Sequence, residues 1–267
     1  MRHYWLLGML ILLCGSAFTR PPQPCVGRAC QADPPTPRPI TQPNPALGWS
    51  VLDLGSETDQ LSAFVASPMD EPYYIPNKGR YMDPERGGPH FGVDFTDFDA
   101  AMTGTLKPIH PLGPGIVTAV HPCVACWADG GQPQGQIRSA RWQHNFGYGG
   151  VLVLEHPVNE YMSFYSLYAH LQDIYVIQGQ QVDATTTLAN MGISGDAAGF
   201  HVHIEVRFGA PGLFWGADFS DAVAVQRWVM LEVCNPTPLL NPETHGYFLA
   251  LLENWLQRHH PEALADD

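Results

Sequence analysis

The chain is short of positive charge. Its 267 residues include 13 Lys plus Arg against 26 Asp plus Glu, a formal net charge of −13, and the only lysines are Lys78 and Lys107. Nucleic-acid binding draws on clustered cations that displace counterions from phosphates, so that class of partner is excluded. Adhesion to an anionic surface by charge alone is excluded for the same reason. Long hydrophobic runs are scarce too. The apolar stretch at 5–13 is nine residues long, too short to span a hydrocarbon layer of ~30 Å. What is present is a globular share of apolar residues, 45%, with 26 Gly and 25 Pro. That composition disfavours both wholesale disorder and a helical bundle, and suits a loop-rich β protein.

The first residues have the pattern of an export signal. Arg2 and His3 precede the apolar stretch, and Cys14-Gly-Ser-Ala17 supplies small residues for cleavage. The expectation is a signal peptide at 1–17, with Leu13 poorly suited to a lipid-modified Cys14. The chain is then exported, to the periplasm, the cell wall or the exterior, with no membrane association beyond the signal. An oxidising compartment lets cysteines pair. Cys25, Cys30, Cys123, Cys126 and Cys234 remain after cleavage, an odd number. Cys25 with Cys30 and Cys123 with Cys126 are the local pairings to expect first. A second metal site at Cys123 and Cys126, with His121 and His144, is the minor alternative.

Residues 18–47 read as a Pro-rich, extended linker, with nine prolines between 21 and 45. Residues 48–258 read as the folded domain, followed by a tail at 259–267. Strands are expected at 115–120, 149–155, 162–171 and 201–208, the last with strict two-residue alternation. Short strands separated by Gly-bearing turns point to a mainly β architecture, an antiparallel sheet or sandwich. No helix is expected before residue 218. Residues 221–233 are a helix candidate. A C-terminal helix at 242–258 would start at Asn241-Pro-Glu and present Phe248, Leu251, Leu252, Trp255 and Leu256 on one face.

The chemistry concentrates in histidines. In a strand, His90 and Asp94 would share a face, and so would His201 and His203. Imidazole nitrogen and carboxylate oxygen suit a catalytic zinc, which takes three protein ligands and leaves one position for water. An HxxxD alone, or an HxH alone, carries little weight. Three motifs in order carry more: His90-Phe-Gly-Val-Asp94, then Tyr168-Ala-His-Leu171, then the Gly192-Ile-Ser-Gly turn running into His201-Val-His203-Ile-Glu205-Val.

That order resembles the signatures of the M23 (LytM/lysostaphin-type) metallopeptidases. The Gly179-Gln-Gln-Val182 step and Leu239-Leu-Asn-Pro242 are similar to the family's connecting text, so the likeness runs over about 75–206 and resumes near 239. The resemblance implies a mainly antiparallel β fold holding one zinc ion through His90, Asp94 and His203. It implies catalytic roles for His170 and His201. It also implies hydrolysis of peptide bonds in bacterial peptidoglycan, in the cross-bridge or the stem peptide. Glu205 shares the face of His203 and would either support an imidazole N–H or be a structural carboxylate.

The chain departs from the family pattern in the turn before HxH, where Phe200 replaces Pro and Ala197-Ala198 replaces Ser-Thr. Two segments, 122–146 and 209–238, read as loop insertions. Their aromatics Trp127, Trp142, Phe214 and Trp215 either wall a substrate groove or cover the core. Two rival readings remain in view: a non-catalytic cell-wall-binding or amidase-activating module of the same fold, and an unrelated HxH metal enzyme. The latter would want a Glu where Phe208 stands and leaves His90 and Asp94 unexplained.

Overall fold

A computed structural model describes residues 67–123, 126 and 144–264. The expected signal, the linker, Cys25, Cys30, Trp127 and Trp142 lie outside the described residues.

A seven-stranded antiparallel sheet organises the described residues. Its strands are β1 (Val93–Phe95), β3 (Gly115–His121), β4 (Gly150–Pro157), β5 (Ser163–Leu171), β6 (Gln181–Val182), β8 (Val202–Gly209) and β9 (Glu232–Cys234). Their order is β1-β8-β5-β4-β3-β6, and β9 also pairs with β8. β8 therefore has β5 along one side, and on the other β1 against its first half and β9 against its second. A separate ladder joins β2 (Pro108–Ile109) to β7 (Ala189–Asn190).

The four expected strands are β3, β4, β5 and β8. Their alternation sorts side chains between two cores. Val202, Ile204, Val206 and Phe208 of β8 join Phe164 and Tyr168 of β5 in the larger one, with Ile109 and Ala189 from the small ladder. The C-terminal helix α3 (His245–His259) closes it with Phe248, Leu252, Trp255 and Leu256, spaced to share one helical face. Asn241 caps the entry to this region by accepting from the Glu243 N–H, and Pro242–Thr244 forms a 3-10 turn ahead of the helix. The fold is thus the expected mainly antiparallel β architecture with a C-terminal helix.

Two expectations are corrected, and one left open is decided. A short helix, α1 (Phe98–Thr103), forms early, capped by Asp97, whose side chain accepts from the Ala100 N–H. Six residues are too few for periodicity to announce a helix, and the local signals are its caps, Asp97 at the start and Gly104 in the left-handed region at the end. Within the expected tail, Pro261–Leu264 forms a 3-10 turn whose Ala263 and Leu264 pack on the larger core. Segment 209–238 is not loop throughout: it holds the expected helix, α2 (Ala222–Met230), capped by Asp221, and also strand β9. Finally, Phe214 is fully buried and packs with Tyr165, Phe219 and Trp228 in the second core. Without this segment the odd-numbered side chains of β5, Tyr165 and Leu167, would face water. Phe214 therefore covers the core and does not wall a groove, and Trp215 is half-buried beside Gly179.

Cys123 and Cys126 are bonded to each other, and Cys234 is free and buried. His121 turns to the Ala217 carbonyl, 2.9 Å away. The minor alternative of a second metal site at these cysteines is set aside, because a disulfide leaves no thiolate to ligate. No helix among the described residues is long and apolar enough to cross a membrane.

Candidate metal centre

The second face of β8 carries His201, His203, Glu205 and Arg207 at successive alternate positions. Asp94 lies directly opposite His203 across the β1–β8 pair, and Ala169 lies opposite it across β5–β8. Directly opposed residues project to the same face, so pairing alone brings Asp94 beside His203.

His90 arrives differently from the expectation. It is not on a strand but in the loop before β1, so even spacing from Asp94 does not place it. The loop is pinned by the Met82 N–H donating to the His90 carbonyl at 2.7 Å and by His90 Nδ1 donating to the Arg80 carbonyl at 2.9 Å. Gly92 lets this loop lie against β8: a Cβ there would come within 2.5 Å of the Ile204 carbonyl oxygen and 2.6 Å of the His203 ring. Nothing larger than glycine fits between them.

His170 also depends on irregular backbone. Along β5 the even positions Phe164 and Tyr168 face the larger core, so a regular strand would send His170 there too. The β4–β5 register shifts between Gly150 and Leu152, and His170 sits at φ +62°. This bulge in the left-handed region turns the side chain to the other face, where its ring centroid lies 4.6 Å from that of His201 and 5.9 Å from that of His203. Ser194 anchors the bulge. Its hydroxyl donates to the Leu171 carbonyl and accepts from the Gly150 N–H, both at 2.8 Å, and its carbonyl accepts from His170 Nδ1 at 2.9 Å.

Three of these side chains converge. His90 Nε2 lies 3.1 Å from Asp94 Oδ1 and 3.0 Å from His203 Nδ1, and the latter lies 2.8 Å from the same carboxylate oxygen. His90, Asp94, His203 and His170 are all 7% exposed or less. The other carboxylate oxygen, Asp94 Oδ2, accepts from the Arg86 guanidinium at 2.8 Å.

The hydrogen bonds leaving this cluster fix which nitrogens carry protons. A carbonyl oxygen only accepts, so a ring nitrogen facing one must be the donor. His90 Nδ1 faces the Arg80 carbonyl, His170 Nδ1 the Ser194 carbonyl and His201 Nδ1 the Gly199 carbonyl. His203 Nε2 faces the Glu205 carboxylate at 3.2 Å. Each neutral ring then has a bare lone pair on its remaining nitrogen. For His90 and His203 those lone pairs point at each other and at an anionic oxygen. For His201 the remaining Nε2 is buried without a hydrogen-bond partner, 3.7 Å from Asp94 Oδ1.

Such a centre demands a positive charge. A proton on His203 can supply it: burial disfavours the imidazolium, but hydrogen bonds to Asp94 and Glu205 raise the pKa to about 9. Burial also works to raise the Asp94 pKa, yet the hydrogen bonds from His203 and His90 hold it far below the ordinary range. A metal ion can replace that proton, and the donor set suits one. Two imidazole nitrogens and one carboxylate oxygen form a triangle with its outer N–H groups already held by a carbonyl and a carboxylate, the usual support for metal-binding histidines. Tetrahedral bonds to zinc put ligand atoms roughly 3.3 Å apart, a few tenths of an ångström wider than the triangle seen. His90, Asp94 and His203 are thus a possible metal site. Burial lowers the pKa of His170 well below its ordinary value, with the neighbouring His201 and His203 adding to the effect, and burial lowers that of His201.

Glu205, left open between two roles by its sequence position, is buried beneath His203. Its Oε1 accepts from Tyr148 OH at 2.9 Å as well as from His203. Its Oε2 accepts from Arg207 Nε and Nη2 at 2.9 and 2.7 Å and from Trp228 Nε1 at 2.8 Å. Burial opposes its ionisation, but His203 and Arg207 lower its pKa to about 2. Arg86, Tyr148, Arg207 and Trp228 were not expected at the site. Only Arg207 had a local signal, since it continues the alternation of His201, His203 and Glu205.

The family model of peptidase family M23 matches residues 132–212. No curated protein matches the chain. Among solved structures, similar ones include a zinc-containing peptidase from Vibrio cholerae, 27% identical, with 54% of this chain and 36% of that one covered at a TM-score of 0.35. The catalytic domain of a prophage-encoded M23 protein from Enterococcus faecalis is 22% identical, with 55% and 89% covered at 0.35. Lysostaphin from Staphylococcus simulans is 18% identical, with 68% and 56% covered at 0.40. The chain spans about a third of the Vibrio protein's length.

Proposed function

We propose that this chain, whose residues 132–212 match the model of peptidase family M23, is an exported zinc-dependent endopeptidase that hydrolyses peptide bonds of bacterial peptidoglycan. The observation that carries the reading is the convergence of His90 Nε2, Asp94 Oδ1 and His203 Nδ1 within 3.1 Å of one another. These three atoms would hold one zinc ion. When bound, zinc acidifies water to a pKa of about 7 and polarises a carbonyl.

The other two histidines would do the proton work. The Nδ1–H of each is tied to a backbone carbonyl, which sets Nε2 as the basic atom. Depressed pKa values keep both rings neutral near pH 7, the state a general base needs. His201 Nε2, buried and without a hydrogen-bond partner, is the better placed to accept a proton and return it to the leaving amine. His170, once protonated, would stabilise negative charge on the carbonyl oxygen. Bond cleavage in an external polymer fits the expected export.

The test is incubation of the purified protein with peptidoglycan, with and without a chelator, beside His203→Ala and His201→Ala. Release of fragments carrying new amino termini, lost with chelator and in both variants, is the expected result, and mass analysis names the bond. Wall binding without chelator-sensitive release from any wall type would instead favour a non-catalytic binding module.

A further inference from the structure

Segment 209–238 lies mostly beyond the matched residues 132–212, yet it reaches the centre from below. The Trp228 ring is fully buried in the second core, and its Nε1–H donates to Glu205 Oε2. At the end of the same helix, the carbonyls of Val229 and Leu231 accept from Arg207 Nη1 at 3.3 and 3.1 Å. Arg207 itself is buried, and its guanidinium lies 5.3 Å from the Trp228 ring centroid and 5.5 Å from that of Phe91. Helix α2 therefore grips both members of the Glu205–Arg207 pair.

The consequence falls on His203. With Tyr148 and His203 on one oxygen of Glu205 and Arg207 and Trp228 on the other, the carboxylate has a single orientation. The imidazole above it can then present only Nδ1 to Asp94 and His90.

We propose that helix α2, through Trp228 and the Glu205–Arg207 pair, is a positioning element of the metal centre that fixes the ring of His203 for ligation. The proposal rests on the zinc reading above. It assigns this segment a purpose beyond the two weighed for its aromatics, walling a groove or covering the core.

The test is zinc affinity in the metal-stripped full chain, measured by competition with a chromophoric chelator, for the parent, Trp228→Phe and Glu205→Gln. Losing partners behind a metal-binding histidine weakens retention by about 10- to 100-fold. The expectation is the upper end for Glu205→Gln and the lower end for Trp228→Phe, with a smaller zinc-induced rise in Tm in both. A purely structural Trp228 would lower the Tm of stripped and loaded protein equally and leave affinity within about twofold, and that result overturns the proposal. Should Trp228→Phe fail to fold, Tyr148→Phe probes the same carboxylate from its other oxygen, and unchanged affinity there is equally adverse. A parent that binds no zinc sinks the zinc reading itself, and the two failures are thereby told apart.

Discussion

The two faces of β8 differ in what a substitution can damage. One face carries Val202, Ile204, Val206 and Phe208, which hold their places by shape and exclusion of water. The other carries His201, His203, Glu205 and Arg207, each held by directed hydrogen bonds. The apolar face contributes stability that many residues share, so a lost methyl group is felt but dispersed. The polar face concentrates charge in low dielectric, where each partner is needed because the others are buried with it. One strand thus serves as both the keel of the core and the floor of the site.

Removing one member of the buried pair should expose this contrast most strongly. Arg207→Met leaves Glu205 buried without its cation and should cost about 4 to 5 kcal/mol in chemical denaturation near pH 7. Zinc retention should fall with it. On the opposite face, Ile204→Ala should cost about 3 to 4 kcal/mol through lost burial and a cavity, while zinc affinity in the folded protein stays near that of the parent. Equal loss of affinity in both variants would erase the distinction between the faces.

The core side has a titrating histidine of its own, which sharpens the comparison. His156 stacks on Phe164 at 4.6 Å and bonds the Pro114 carbonyl and Ser166. Burial lowers its pKa to about 4. As pH falls the unfolded chain takes up this proton first, at about 6.5, while the folded chain resists until about 4. Stability from the neutral buried ring is therefore complete above pH 6.5 and lost between 6.5 and about 4. The loss should approach about 3 kcal/mol, and His156→Gln should flatten that part of a stability-against-pH curve. The smallest effect is expected of Arg86→Ala. Its side chain is 37% exposed where the guanidinium meets Asp94, and such a pair contributes about 1 kcal/mol or less. Zinc affinity should drop only severalfold, and a loss as large as that of Arg207→Met would mean that Asp94 depends on this contact.

Much of the polar face was legible because strand alternation is a local rule. The spacing of His201, His203 and Glu205 puts them on one side wherever the strand pairs. The route of His90 was not legible. Its loop is held by Arg80 and Met82 and admitted by Gly92, contacts that spacing from Asp94 does not encode. His170 was picked out by resemblance, yet its direction comes from a bulge and a positive φ that the alternation of β5 would contradict. Trp228 could not be tied to Glu205 at all, because 23 residues and a change of layer separate them. Helix α2 was expected within 221–233, and its last residues proved to form β9 because they pair with Val206, Arg207 and Phe208.

The central claim is that two imidazoles and one carboxylate share an ion. Metal content and X-ray absorption on the purified full chain test it most directly. The account predicts one zinc per chain, bound by two imidazoles and light oxygen atoms at about 2.0 to 2.2 Å, and lost in both Asp94→Ala and His203→Ala. Tight zinc retained by His203→Ala, or a parent chain that never takes up zinc, would contradict it.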